Sequence, residues 1–186
     1  KGNVLIWLFE LYKNKVFIQQ LHVITANAFN LWAGVAGIHE RPDILPFLGL
    51  NYALWAYILY AVSYLFVIVK LVKKQSIENM VFALAVVAFS SFILLTNMHE
   101  RYLYPLFPFF TILVVFYRRL VPSYVAISLI SLLNMYNFWF TPKVQVIGTF
   151  LSFGDRRMPR ILGFAMFILF LNFLITFLRQ SKPSRI

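Results

Sequence analysis

Five long runs of apolar residues constrain what this chain can fold into. They cover residues 50–69, 80–95, 105–117, 121–140 and 161–178, and polar or basic stretches separate them. A helix needs about 20 such residues to cross the hydrocarbon layer of a membrane. The chain is 61% hydrophobic and 12% charged, which is far too apolar for a water-soluble domain. The sequence therefore predicts an all-α, polytopic integral membrane bundle, with one transmembrane helix for each run.

The charged residues divide between connections that must lie on opposite sides of the membrane. One group is almost entirely basic, with Glu78 as its acid: Lys70, Lys73, Lys74, Arg118, Arg119, Arg179, Lys182 and Arg185. The positive-inside rule assigns this group, and with it the tail at 179–186, to the cytoplasm. The other connections mix acids, bases and histidines, and we expect them on the periplasmic or lumenal side. The excess of 17 Lys and Arg over 6 Asp and Glu thus indicates topology, not nucleic-acid binding.

The first 49 residues are less regular and are interpreted as an interfacial or re-entrant region on the outer side. Residues 4–12 carry one apolar face, as an interfacial helix or the end of a preceding span does. Residues 16–38 are long enough to cross, but they hold too many polar side chains for a lipid-exposed span. We expect one membrane domain over 1–186, with its spanning helices in 50–178, and we expect it to be part of a longer chain.

The third run, 105–117, is short for a complete crossing. At 1.5 Å per residue its 13 positions cover only about 20 Å of a layer about 30 Å thick. Its outer end should therefore begin within the membrane, with residues 99–104 at interfacial depth. The connection at 141–160 is expected on the outer side.

The candidate chemistry lies on the outer side. The tripeptide His-Glu-Arg occurs at 39–41 and again at 99–101, each time before a span that runs inward, and Arg156, Arg157 and Arg160 precede the last such span. Cations beside a helix N-terminus favour an anion, because the unpaired N–H groups and the helix dipole do so too. The sequence predicts a phosphate ligand at the membrane surface.

These features also have simpler interpretations. Glu100 can neutralise Arg101 at a tight turn, and Arg156 and Arg157 can contact lipid headgroups. The histidines at 22, 39 and 99 match no local metal-ligand spacing, so no cofactor is predicted, although a divalent metal stays open. The chain has no cysteine, which excludes disulfides and thiolate metal sites.

Two stretches resemble a known family. NAFNLW at 27–32 and NMHERYLYP at 97–105 are similar to the C-terminal half of GT-C membrane glycosyltransferases, with bacterial and archaeal relatives of the GPI-anchor mannosyltransferases as the nearest match. The His-Glu element also looks like one in the dolichol-linked glucosyltransferases. The resemblance implies transfer of a mannose or another hexose from a polyprenyl-phosphate sugar to a glycan, lipid or protein acceptor. It implies a prokaryotic cytoplasmic membrane or the ER membrane, with the site facing the periplasm or lumen.

The resemblance also suggests roles for individual residues. The donor phosphate would be bound by Arg101, His99, Tyr102 and Arg41. The sugar or acceptor would be bound by Asn27, Asn30, Trp32, His39 and Glu40. Arg101 is the first choice for the phosphate, since a guanidinium can grip two oxygens at once. Glu100 would orient Arg101, with a lesser chance of serving as a general base.

The catalytic carboxylate of such enzymes belongs to a first outer loop that these 186 residues do not include. The catalytic residue is therefore unknown, and the chain alone is expected to be inactive. Two other function classes stay open: a transporter or flippase of lipid-linked sugars, and a non-catalytic membrane subunit of a glycan-assembly complex. A transporter would need polar residues near the middle of its spans, where Ser90, Ser91, Asn134 and Asn172 are the main candidates.

Overall fold

The computed structural model describes residues 3–14, 22–139 and 141–180. Within these ranges the fold is all-helical, as predicted, apart from a two-stranded hairpin of Pro46–Phe47 and Leu50–Asn51. The α-helices are α1 Val4–Tyr12, α2 Leu31–Ala36, α3 Tyr52–Lys73, α4 Ile77–Leu94, α5 Leu106–Phe116, α6 Val121–Trp139 and α7 Gln145–Arg179. Short 3-10 turns at Glu100–Leu103 and Arg118–Leu120 precede α5 and α6.

Four of the described helices are long and apolar enough to cross a membrane: α3, α4, α6 with the turn before it, and α7. This confirms a helical integral membrane protein. The fifth expected span is shorter than the other four, because α5 has only 11 residues and covers about 16 Å. Pro105, immediately before α5, and Pro108, in its first turn, are tolerated there because the first N–H groups of a helix have no partner within it.

The connection at 141–160 is partly helical. Residues 145–152 are helical, and the chain then leaves helical geometry at Phe153 and takes three consecutive left-handed residues, Gly154 (φ 63°), Asp155 (φ 58°) and Arg156 (φ 61°). The membrane-length part of α7 begins after this break. Pro159 lies in its first turn, where its missing N–H costs no hydrogen bond. A helix can start here because the break supplies a new N-terminus.

Packed aromatic rings form the centre of the bundle. Phe82 and Phe89 on α4 contact Phe173 on α7 with ring centroids 4.9 and 6.1 Å apart, and Phe110 on α5 contacts the same ring at 4.8 Å. All four rings are buried. α4 is the most buried of the four long helices, whereas α3 exposes most of its surface, as a lipid-facing helix does.

The segment that contains α2 is packed against the long helices. α2 meets α7 at two glycines: a Cβ added to Gly163 would lie 2.6 Å from the Asn30 carbonyl oxygen, and one added to Gly34 would lie 3.0 Å from the Phe164 ring. Such close backbone approach is typical of small residues between membrane helices. α1, in contrast, has no buried residue. Of the stretch 16–38, residues 16–21 lie outside the described residues.

The two ends of the bundle differ in chemistry. At one, the basic end, Lys70 Nζ donates to the carbonyls of Leu178 (2.9 Å) and Gln180 (2.8 Å), which joins the last turns of α3 and α7. At the other, the loop end, the indole of Trp32 donates to Leu94 O at 2.7 Å and contacts the Tyr52 ring at 5.5 Å. The described residues of the two groups of connections distinguished in the sequence lie at these opposite ends; Lys182 and Arg185 lie outside the described residues.

Candidate functional site

A cavity of about 410 Å³ opens at the loop end. Four separate parts of the chain form its walls: the segment 23–40, the connection between α4 and α5, Phe138 near the end of α6, and the break in α7. The polar residues that line it are Asn27, His39, Glu40, His99, Arg156 and Thr25. The first four were expected to bind donor, sugar or acceptor, and the structure brings them together around one space.

Asn27 is held by the end of α6. Its backbone carbonyl accepts from Asn134 Nδ2 at 2.6 Å, and its side-chain oxygen accepts from Asn137 Nδ2 at 2.7 Å. These bonds stabilise a left-handed backbone (φ 67°), which asparagine tolerates better than most residues. Among the described residues the buried Nδ2 of Asn27 has no hydrogen-bond partner, so this donor is left unsatisfied within the protein.

His99 is placed by backbone pairing with the same segment. Ala26 N donates to Met98 O at 3.0 Å, and Asn97 N donates to Val23 O at 2.9 Å, so the connection after α4 lies alongside residues 23–27. The His99 ring meets the Tyr102 ring edge to face at 5.2 Å. The pairing of residues 23–27 with residues 97–99, about 70 positions away, therefore places Asn27 and His99 on one wall of the cavity.

A second, more basic cavity of about 280 Å³ adjoins the first and shares His39 and Arg156 with it. The break in α7 contributes Asp155, Arg157 and Arg160 to its lining. The left-handed residues of the break turn the chain sharply, and Arg160 beyond them lies against the end of α2. Consecutive strained residues are expensive and are commonly found at functional sites.

The arginines of the second cavity have different roles. Arg160 donates to the carbonyls of Gly34 (Nε, 3.1 Å) and Val35 (Nη2, 2.9 Å), which satisfies the C-terminus of α2. Arg156 and Arg157 are exposed and have no acidic partner within 4 Å among the described residues. Both guanidinium groups are therefore available to an anion.

The second His-Glu-Arg element places its acid and its base in different environments. Glu100 is buried, and neither of its carboxylate oxygens has a hydrogen-bond partner; its ion pair with Arg101 is long, at 3.8 Å. The Arg101 side chain is 50% exposed, lies 5.9 Å from the centre of the Tyr102 ring, and lines neither cavity. Arg156 occupies the position beside the cavity that the sequence suggested for Arg101.

Four other expected site residues lie away from the cavities. Asn30 is fully buried: its side chain caps α2 by accepting from Ala33 N at 3.0 Å and donates to Phe92 O and Leu95 O at 3.3 Å. Trp32 is buried in the same way, with its indole bonded to Leu94 O. Both side chains therefore hold α2 against α4 and are not available to a sugar. Arg41 and Tyr102 are exposed and line neither cavity.

Among the described residues, no group of three or more His, Asp or Glu is arranged to hold a metal ion. No family model, curated protein or solved structure matches this chain. The site is therefore interpreted from its own geometry.

The sequence offered partial signals for the supporting residues. Asn134 and Asn137 stand three positions apart near the end of an apolar span, so they lie on one face of the helix. Two amide side chains on one face are costly in contact with lipid, which indicates that this face contacts protein or water. Asn134 was considered as part of a transport pathway, but it donates to Asn27 O and accepts from Phe29 N at 2.9 Å. The role of Arg160 had no local signal, since its partners are 125 and 126 positions away.

Proposed function

We propose that this chain forms the donor-binding part of a GT-C-like membrane hexosyltransferase that uses a polyprenyl-phosphate sugar. The observation that carries the proposal is the pair of adjoining cavities at the loop end. One is rich in arginine and suits a phosphate, while the other presents amide, imidazole and carboxylate groups and suits a sugar. They meet at His39 and Arg156, where the sugar–phosphate bond would lie.

The arrangement also suits the chemistry of sugar transfer. A departing phosphate gains negative charge in the transition state, and cations already in place around it lower the barrier. Arg156 and Arg157 would bind that phosphate, and His99 or His39 would donate a further hydrogen bond. Glu40 and Asn27 would orient the sugar hydroxyls, since a carboxylate accepts from a hydroxyl and an amide nitrogen donates to one.

A transporter is less well supported. The buried polar residues of the long helices mostly satisfy local structure: Asn134 holds the segment at 27–29, and the Ser90 hydroxyl donates to Val87 O in its own helix at 3.0 Å. A pathway for a sugar would need polar groups that are open along the bundle. The loop-end cavities instead suit a site that works at one face of the membrane.

The test is sugar transfer by the full-length protein, with a polyprenyl-phosphate hexose as donor. Arg156→Ala removes a charged hydrogen-bonding group and should reduce kcat/KM by about 30-fold, in line with about 2 kcal/mol for such a contact. Arg118→Ala, an exposed arginine at the basic end, is the matched control and should retain full activity.

The variant Arg101→Ala tests which arginine, Arg101 or Arg156, binds the donor phosphate. Loss of transfer in Arg101→Ala with normal transfer in Arg156→Ala would refute the assignment of the phosphate to the break in α7. Normal transfer in both variants, or no transfer by the intact protein together with movement of the lipid-linked sugar across the membrane, would refute the proposed function itself.

A further inference from the structure

A groove of about 660 Å³ runs along α7 at the basic end, on the side of the molecule away from the proposed sugar site. Two guanidinium groups, those of Arg119 and Arg179, stand at its end. Neither has an acidic partner within 4 Å among the residues that the structure covers. Arg119 lies before α6 and Arg179 ends α7, so the two cations come from different elements.

The rest of the groove is apolar and follows one face of α7. Ile168, Leu171 and Ile175 are spaced three and four positions apart, so they lie in line on the helix, and all three are exposed. From Ile168 to Arg179 the helix rises about 16 Å, which is about half the thickness of the hydrocarbon layer. The groove therefore has the length of one membrane leaflet, with its cations at the membrane surface.

Polar groups lie between the cations and the apolar positions. Asn172 and Thr176, one turn apart on α7, line the groove, and Gln180 ends the helix there. Gln180 is buried, and its Oε1 has no hydrogen-bond partner among the residues that the structure describes. Amide and hydroxyl groups at this depth match the ester and glycerol region of a phospholipid, which lies just below its phosphate.

We infer that this groove binds an anionic phospholipid of the leaflet at the basic end. Its phosphate would contact Arg119 and Arg179, and one acyl chain would lie along Ile168, Leu171 and Ile175. None of the described residues that line the groove is acidic, so the charge of this lining is complementary to an anionic headgroup. Bound there, the lipid would join the start of α6 to the end of α7.

Native mass spectrometry of the full-length protein in detergent tests this inference, with dioleoyl phosphatidylglycerol and phosphatidylcholine as probes. Phosphatidylglycerol should remain bound under conditions that remove phosphatidylcholine. The double variant Arg119→Ala/Arg179→Ala should weaken its binding by about 30-fold, since each basic residue near an anionic headgroup contributes about 1 kcal/mol. Leu171→Asn should weaken dioleoyl binding but leave that of a dihexanoyl lipid unchanged.

The control is Lys73→Ala/Arg118→Ala, which removes the same charge from exposed positions at the same end but outside the groove. It should leave binding intact. Equal losses in the two double variants would mean that the lipid responds only to net charge, and the inference would be overturned. Equal retention of the two lipids by the intact protein would overturn it too.

A third variant ends the chain after Gln180 and tests whether the tail, and not a lipid, occupies the groove. Lipid binding that appears only in this shortened protein would also contradict the inference. Binding that is unchanged by the truncation would support it.

Discussion

The contact between α2 and α7 leaves no space for a side chain at Gly163. Gly163 allows the backbone of α2 to contact α7 directly, because any side chain there would meet the Asn30 carbonyl and the Gly34 nitrogen. Both are main-chain atoms, which cannot move away from a larger side chain by a change of rotamer. Asn30, whose carbonyl is one of them, also caps α2 with its side chain. The closest contact and the helix cap therefore depend on the same residue.

Replacing Gly163 with Val should consequently destabilise the protein by about 1–3 kcal/mol, the usual cost of overpacking a tight contact. The measurement is the midpoint of thermal unfolding in detergent. Gly148→Ala is the control, since nothing lies within 4 Å of a Cβ at this helical position and alanine favours helix. An unchanged midpoint in Gly163→Val would show that α2 does not pack on α7 as described.

Among the elements, the break in α7 has the greatest consequences. It divides a helix at residues 153–156, directs Arg156 and Arg157 into the loop-end cavities, and lets Arg160 satisfy the C-terminus of α2. α2 has only six residues and could not persist by itself in water. It persists here because its first turn is capped by Asn30, its last carbonyls are bonded by Arg160, and one side is buried against α7.

We therefore expect Arg160→Ala to loosen α2, at a cost of about 1–2 kcal/mol for the lost charged hydrogen bonds. The chain has no native cysteine, so a single Val35→Cys can report on α2 through its rate of thiol labelling. Labelling should accelerate when Arg160→Ala is added. Arg157→Ala, which removes a neighbouring arginine with no bond to α2, should leave the rate as it was; equal acceleration by the two would refute the capping role.

In the molecule as a whole, the two ends of the bundle have separate functions in our interpretation. The basic end gathers Lys70, Arg119 and Arg179 and is the end that the positive-inside rule assigns to the cytoplasm. The loop end gathers His39, His99, Glu40 and the arginines at the break in α7 around two cavities. A donor sugar and a structural lipid would thus bind at opposite membrane surfaces.

Cysteine labelling of intact cells or sealed vesicles tests this arrangement. A cysteine at position 101 and one at position 73 are both exposed and should react with a membrane-impermeant maleimide from opposite sides, 101 from the outside. Labelling of both from the same side would contradict the assignment of these residues to two ends. Labelling of 101 from the cytoplasm only would preserve the two ends but reverse the orientation.

The sequence by itself determined the class of fold and the distribution of charge between the two ends. Both follow from local properties: a run of apolar residues can satisfy its backbone in lipid only as a helix, and basic residues collect in the short connections on one side. The lengths of these runs indicated α3, α4, α6 and the second part of α7. They did not indicate residues 145–152 of α7, because a short interfacial helix has no membrane-length pattern.

Only the tertiary structure decided which polar residues face a cavity. Asn27 and Asn30 are of the same type and three positions apart, yet Asn27 lines the cavity while Asn30 is buried under α2. Arg101 and Arg156 are equally suited to phosphate, but only Arg156 reaches the cavity. The reason is that such exposure depends on contacts between segments far apart in the chain, which composition and spacing do not encode.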